Sequence, residues 1–127
     1  MKQETRKLLA KAERSLHASE TLLRAGHVEF AAGRAYYAMF HTAQALLRER
    51  DMQFRKHGSV HAAFGQHFAK SGLLDPKFHQ WLLDAFDERL RGDYDLDAEF
   101  DPESVSKWIE RARLFLDTAR AYLEAQT

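Results

Sequence analysis

The hydrophobic positions of this chain recur at intervals of three and four residues, a spacing that is typical of amphipathic helices. In the first segment, Thr5 to Arg24, these positions hold leucines and alanines, and Gly26 follows as a residue that can end a helix. No segment alternates apolar and polar residues with the period of two expected for a half-buried strand. The pattern therefore predicts an all-α protein.

The same periodicity predicts the later helices. They run from Val28 to about Arg50, over a short stretch from Val60 to Gly72, from Phe78 to near Gly92, and from Pro102 towards the end of the chain. Asp101 is expected to cap the last helix, with Pro102 at its first position. These segments predict an up-and-down bundle of four to five helices, forming a single domain over residues 1–127.

The second predicted helix contains the segment RAYYAMFHTAQALL, residues 34 to 47. Arg34 and His41 lie about 20° apart around a helix and therefore share one stripe. Small residues recur every seven positions on the same helix and predict a close approach to a neighbouring backbone; they are Ala31, Ala38 and Ala45. The helix is expected to be buried on several sides, with Tyr36 and Tyr37 as core aromatics and His41 as a hydrogen-bonded interhelical histidine.

Composition narrows the classes of protein that this chain can form. Hydrophobic residues make up 45% and charged residues 30%, and no apolar run approaches the roughly 20 residues that span a bilayer. The 19 basic residues balance the 19 acidic ones, so any contact with nucleic acid must be local. There is no cysteine. We therefore expect a cytoplasmic protein that neither enters a membrane nor carries disulfides.

Two charges interrupt the apolar stripe of the fourth predicted helix. Arg89 and Asp93 fall within the same sector as Phe78 and Leu82. One interpretation is an ion pair, buried or at the rim of the bundle, that serves structure alone. The other is a phosphate or nucleotide site in which Arg89 binds the anion while Asp93 and Tyr94 orient it.

Three segments resemble the HEPN domain, a helical nucleotide-binding domain, in its small single-domain form. They are RAYYAMFHTAQALL, KHGSV at Lys56 to Val60, and RLRGDYD at Arg89 to Asp95. The resemblance implies a four- or five-helix bundle that is usually dimeric and often encoded beside a minimal nucleotidyltransferase, as in a toxin–antitoxin pair. It also implies binding of nucleotide or RNA and, in several branches, ribonuclease activity without a metal.

The sequence departs from the ribonuclease motif of that family, which is an arginine and a histidine separated by four to six intervening residues. Here Arg89 is followed by Asp93 and Tyr94, with no histidine. A histidine from elsewhere would have to accept the proton, and His41 and His57 are the candidates. The candidate catalytic set is therefore Arg89, Asp93, Tyr94, His41 and His57, and the candidate nucleotide-binding set is Arg89, Arg34, Tyr37 and Lys56.

Metal binding is not expected, because no carboxylate or cysteine completes a ligand set with His57, His61 and His67. No cofactor is expected either. Three functions remain open: a HEPN-like homodimer that acts on nucleotide or RNA beside a nucleotidyltransferase, a non-catalytic dimerisation and interaction module, and a structural adaptor. The dimer seam is expected on the small and aromatic residues of helices two and four.

Overall fold

The computed structural model describes residues 1–126, so Thr127, the last residue of the expected single domain, lies outside the described residues. Its helices are α1 (Gln3–Arg24), α2 (Val28–Glu49), α3 (His57–Phe64), α4 (Lys77–Tyr94) and α5 (Pro102–Ala125). Residues 1–126 contain no strand. The predicted all-α bundle is confirmed.

The first two helices form an antiparallel hairpin that turns at Gly26, where φ is +87°. Two serines of α1 donate to backbone carbonyls of α2: Ser15 Oγ to Arg34 O at 2.7 Å and Ser19 Oγ to Ala31 O at 2.6 Å. The small residues of α2 permit this approach, since Ala31 has no exposed surface. The close backbone approach predicted for α2 is confirmed.

Helix α2 is the centre of the bundle and packs against α1, α3, α4 and α5. Its buried positions cover most of its circumference, as the sequence predicted. Ala38 and Ala45 are fully buried within this chain. They are therefore not available as the dimer seam that the sequence suggested, because other helices already cover them.

The third helix differs from the one that the sequence predicted. Helix α3 begins at His57, three residues before Val60, and it passes into a π-helical segment, Gly65–Ala69. A Cβ atom on Gly65 would lie 2.6 Å from Nε2 of His79 on α4, so glycine permits this approach. The same His79 nitrogen donates to the carbonyl oxygen of His61 at 3.1 Å. The irregular segment thus fixes α3 against α4.

Helix α5 begins as predicted and is then held by ion pairs to α1. Asp101 accepts a hydrogen bond from the backbone N–H of Ser104 at 3.3 Å, with Pro102 at the start of the helix. Farther along, Arg113 makes two hydrogen bonds of 2.8 and 2.6 Å to Glu13 of α1, and Arg120 adds a third of 2.9 Å. These bonds hold the pKa of Glu13 at about 2 and clamp α5 to α1.

None of the helices in residues 1–126 has an apolar stretch long enough to cross a membrane.

Candidate functional site

A depression of about 290 Å³ opens where the start of α2 faces the end of α4. We call it the α2–α4 depression. Its charged and aromatic lining residues are Glu29, Phe30, Arg34 and Tyr37 of α2 and Arg89 and Asp93 of α4. On α2, Phe30, Arg34 and Tyr37 follow one another at helical spacing, which places them on one stripe. The depression therefore combines two arginines and two carboxylates with aromatic rings.

Two arginines from different helices meet at one ring in this depression. The guanidinium carbon of Arg34 lies 4.5 Å from the centroid of the Tyr37 ring, and that of Arg89 lies 5.0 Å from it. Both guanidinium groups are thus held over a single aromatic ring by cation–π contact. The sequence named these three residues separately, and the structure brings them together.

Asp93 pairs with Arg89 one turn along α4, with 3.2 Å between Oδ2 and Nε. The side chain of Asp93 is 49% exposed and that of Arg89 is 24% exposed. The predicted ion pair is confirmed, and it lies at the rim of the bundle rather than beneath a helix interface. The closest approach of the pair is at Nε of Arg89, and the same arginine lines the depression. A guanidinium group has five N–H donors, so Arg89 can bind a ligand anion while it pairs with Asp93.

A second group of polar side chains lies beside Tyr37. The hydroxyl of buried Tyr36 is 2.6 Å from Nδ1 of His57 and 2.9 Å from Nε2 of His61. We call these three residues the histidine bridge. Burial raises the pKa of Tyr36, although the charge of Arg89 opposes that rise. The hydroxyl therefore stays neutral and keeps its one proton.

His57 is the partly exposed end of the histidine bridge. Its ring stacks on Phe40 with centroids 4.2 Å apart, and it lies 5.9 Å from the ring of Tyr37. Burial lowers the pKa of His57, and the positive charge of Arg89 lowers it further. Its Nδ1 is occupied by Tyr36, whereas Nε2 has no hydrogen-bond partner in the part of the chain that the structure describes. His57 is therefore an unprotonated base next to the α2–α4 depression.

His41 has a different environment. It is buried, and its Nδ1 lies 2.9 Å from Oε1 of Gln44 on the same helix. The expected hydrogen bond of His41 is present, but its partner lies one turn along α2 and not on another helix. Burial lowers the pKa of His41, and nearby Lys11, Arg34 and His57 lower it further. Its ring lies 5.8 Å from that of Tyr37, so it lies beneath the depression without lining it.

Two further predicted site residues lie outside the depression, whose lining also lacks His41 and His57. Lys56 is exposed at the residue before α3, and Tyr94 is 81% exposed at the last position of α4. Neither side chain lines the opening. Lys56 is adjacent in sequence to His57, and Tyr94 to Asp93, so both lie at the margin of the site.

A second opening, of about 270 Å³, lies between the start of α1 and the end of α2. Its floor is apolar, with Leu8, Leu47 and Phe54 among its lining residues. The cations on its wall are Lys7 and Arg48, and Arg48 donates to the side chain of Gln53. Among residues 1–126 there is also no group of three or more potential metal ligands. The cluster of base and cations therefore distinguishes the α2–α4 depression.

The reasoning from sequence missed the role of Tyr36 and did not select His61. Tyr36 was assigned to the core because it lies in an apolar helix, and it is indeed fully buried. The available signal was the spacing of His57 and His61, which places both on one face of α3. That spacing would also suit two metal ligands, which the sequence did not favour, and the group between them is a tyrosine hydroxyl of α2.

Comparison with known proteins shows the family to which this chain is similar. Residues 5–124 match the HEPN domain. The chain is 34% identical to "Putative toxin MJ0142" of Methanocaldococcus jannaschii, covering 96% of this chain and 83% of that protein. It is 34% identical to a "UPF0332 protein" of Thermotoga maritima, covering 90% and 86%. It is also 30% identical to "Putative toxin MJ0605" of M. jannaschii, covering 98% and 92%.

Proposed function

Since this chain belongs to the HEPN domain family, we propose that it is a toxin-like protein that binds RNA in the α2–α4 depression. We also propose that its partner protein is a nucleotidyltransferase. The toxin names of two relatives support the first statement. The observation that carries the binding site is the meeting of Arg34 and Arg89 over the Tyr37 ring.

The α2–α4 depression suits a nucleotide because it offers guanidinium groups for the phosphate and aromatic rings for the base. Guanidinium groups bind phosphate oxygens through paired N–H donors. Exposed aromatic rings stack on bases, and Phe30, which is 61% exposed at the edge of the depression, supplies one. The net charge of the chain is zero, so net charge by itself does not attract RNA. Binding is therefore expected to be local and to depend on these two arginines.

The chemistry that the site supports is cleavage of RNA by its own 2′-hydroxyl. The 2′-oxygen attacks the neighbouring phosphorus, its proton passes to Nε2 of His57, and the bond to the 5′-oxygen breaks. A 2′,3′-cyclic phosphate and, after a proton reaches the leaving oxygen, a 5′-hydroxyl are formed. Arg89 would stabilise the charge that develops on the phosphoryl oxygens. His41 is the alternative base, but its Nδ1 is already held by Gln44.

A non-catalytic binding module is the second candidate. No histidine stands at positions 94 to 96, where it would complete the arginine motif of α4, and Arg89 pairs with Asp93 instead. A protein of this kind would bind nucleotide or RNA and regulate the nucleotidyltransferase without cutting RNA. The two candidates therefore share the binding site and differ in the product they form.

We also propose that the protein is a homodimer. Because the alanines of α2 are buried, the seam would use large apolar side chains that remain exposed at the end of α4 and just after it. These are Tyr94 and Leu96, with exposed fractions of 81% and 100%. Light scattering at tens of micromolar protein should give twice the monomer mass, and a monomer at that concentration would refute the dimer.

Titration of a labelled single-stranded oligoribonucleotide by fluorescence anisotropy tests the binding site. Arg34→Ala should weaken binding by about 10- to 100-fold, because a charge-assisted hydrogen bond contributes about 1.5 to 3 kcal/mol. Arg91→Ala is the control, since Arg91 is an arginine of α4 that lies outside the depression. Equal binding by the Arg34→Ala variant and wild type would contradict the proposed site.

Incubation of the same RNA with chelator present separates the two candidates. The ribonuclease should form cyclic-phosphate ends, and His57→Ala should reduce the rate by about 100-fold or more. His67→Ala, on the π-helical segment, is the control and should retain the rate. RNA that binds but stays intact from pH 5 to 8 would reject the ribonuclease and leave the binding module.

A further inference from the structure

The histidine bridge contains one hydroxyl proton and two histidine nitrogens that compete for it. Tyr36 Oη lies 2.6 Å from Nδ1 of His57 and 2.9 Å from Nε2 of His61, so it is bonded to both. A phenol donates one hydrogen bond and accepts others. One histidine must therefore accept the tyrosine proton while the other donates its own N–H to Oη. The direction of this chain decides which nitrogen of His57 carries a proton.

We propose that Tyr36 and His61 are a positioning pair that holds His57 in its Nδ1–H tautomer, leaving the lone pair on Nε2. In this arrangement His57 Nδ1–H donates to Tyr36 Oη, and Tyr36 donates to His61 Nε2. The proposal deepens the proposed function, on which its chemical role rests, because Nε2 is the nitrogen without a protein partner. It adds two residues that would act through His57 rather than on the substrate.

The charged state of His57 favours this direction. When Nε2 takes a proton, both ring nitrogens carry hydrogen and both can only donate. Tyr36 Oη must then accept from His57, so the hydroxyl proton has to point to His61. The proposed arrangement already has this direction in the neutral state. Proton uptake therefore requires no rotation of the hydroxyl and no change of tautomer at His61.

His61 is suited to remain the acceptor. Its side chain is buried between α2 and α4, and burial, with His57 and His79 nearby, lowers its pKa to about 4. It thus stays unprotonated throughout the range in which His57 would exchange protons. Its backbone is also fixed, since the His61 carbonyl oxygen accepts from Nε2 of His79. A neutral histidine in this place can accept at every working pH.

The ring of His57 is held by its other neighbours. Phe40 stacks on it at 4.2 Å, and Phe86 of α4 lies at 5.8 Å. The titratable or charged groups that face it are Tyr36, Tyr37 and His41 on α2, His61 on α3 and Arg89 on α4. Within the described chain, Tyr36 is the group that bonds Nδ1. The tautomer is therefore set by the histidine bridge.

Two-bond ¹H–¹⁵N correlation spectra of the ¹⁵N-labelled protein, recorded without RNA, report the tautomer of each histidine. We expect His57 at pH 8 to show a protonated Nδ1 and an unprotonated Nε2. His57 with a protonated Nε2 would overturn the proposal directly in the wild-type protein. This result does not depend on any variant folding, nor on whether the protein binds or cleaves RNA.

Two substitutions at His61 test its part. His61→Leu removes the acceptor, so the Tyr36 proton should turn to Nδ1 of His57 and move the His57 proton to Nε2. His61→Gln retains an acceptor oxygen and should keep the wild-type tautomer. The same tautomer in both folded variants, checked by circular dichroism, would show that His61 has no positioning role.

Tyr36→Phe tests the hydroxyl itself. Loss of the acceptor for Nδ1–H should lower the pKa of His57, followed by NMR titration, by about half a unit to one unit, since hydrogen bonding favours the charged form. Tyr122→Phe on α5 is the matched control and should leave His57 unchanged. An unchanged tautomer and pKa in Tyr36→Phe would reject the positioning pair. Absence of RNA cleavage alone would reject only the proposed function.

Discussion

Replacement of Arg89 by alanine separates a binding role from a structural one. In this structure the side chain makes an (i, i+4) ion pair with half-exposed Asp93 and a cation–π contact with Tyr37. An exposed pair of this kind contributes about 0.3 to 0.5 kcal/mol, and a cation–π contact at a partly exposed site about 0.5 to 1 kcal/mol. The expected loss of unfolding free energy is therefore about 1 kcal/mol.

A purely structural arginine predicts a different magnitude. If the pair were buried, removing Arg89 would leave Asp93 uncompensated and cost about 3 kcal/mol or more. Because Asp93 is 49% exposed, water can solvate it when the arginine is lost. Thermal unfolding should therefore shift by about 4 °C for a chain of this size. RNA binding should weaken by about 10- to 100-fold in the folded variant.

Arg91→Ala is the matched control for this measurement. Arg91 lies two residues along α4, with an ion pair to Glu88 at 2.8 Å and a cation–π contact to Phe100 at 4.3 Å. Its loss should lower the melting temperature by a similar amount and leave RNA binding unchanged. A stability loss near 3 kcal/mol in Arg89→Ala, with binding reduced only in proportion to unfolding, would refute this reasoning. Equal loss of binding in both variants would refute it as well.

Four further substitutions test the packing of the helices. The pKa of His61 is about 4 in the folded protein against an ordinary value of 6.5, so the unfolded chain binds more protons below pH 6.5. The free energy of unfolding, measured with urea, should therefore fall by about 2 kcal/mol between pH 7.5 and 5, and His61→Gln should reduce that fall. Gly65→Ala should destabilise by about 1 kcal/mol or more by displacing His79, whereas Gly58→Ala, with open space, should be neutral or stabilising; the reverse order in thermal melts would contradict this packing. Glu13→Ala should cost about 1 to 2 kcal/mol in the same melts by releasing the arginines of α5, and an unchanged melting temperature would show that the clamp contributes nothing.

The fold could be predicted from the sequence because its signals are local. Helical periodicity located every helix, and Asp101 with Pro102 marked the start of α5 correctly. The break at Gly65 was missed, because it depends on His79 approaching from a helix distant in sequence. The alanines of α2 were identified correctly as a close-packed seam. Only the three-dimensional structure shows that the helix packed on this seam is α1 and not a helix of a second subunit.

The candidate site was predicted in part. Arg89 and Asp93 were identified because charges in an apolar stripe are conspicuous, and their spacing of one turn ensured a contact. The contact of Arg34 with Tyr37 also lies within one helix. By contrast, Tyr36 joins histidines 21 and 25 residues away in sequence. No local pattern specifies that junction, because it depends on how α3 packs against α2.

The central claim is that RNA binds between α2 and α4, and mapping of amide chemical shifts during titration with a single-stranded oligoribonucleotide tests it most directly. The account predicts that the largest changes fall on Gly33, Arg34, Tyr37, Arg89 and Asp93, which line the depression. These changes should diminish as salt is raised, since phosphate contacts depend on ionic strength. No shifts at saturating RNA, or shifts confined to the opening around Leu8, Leu47 and Phe54, would contradict the account.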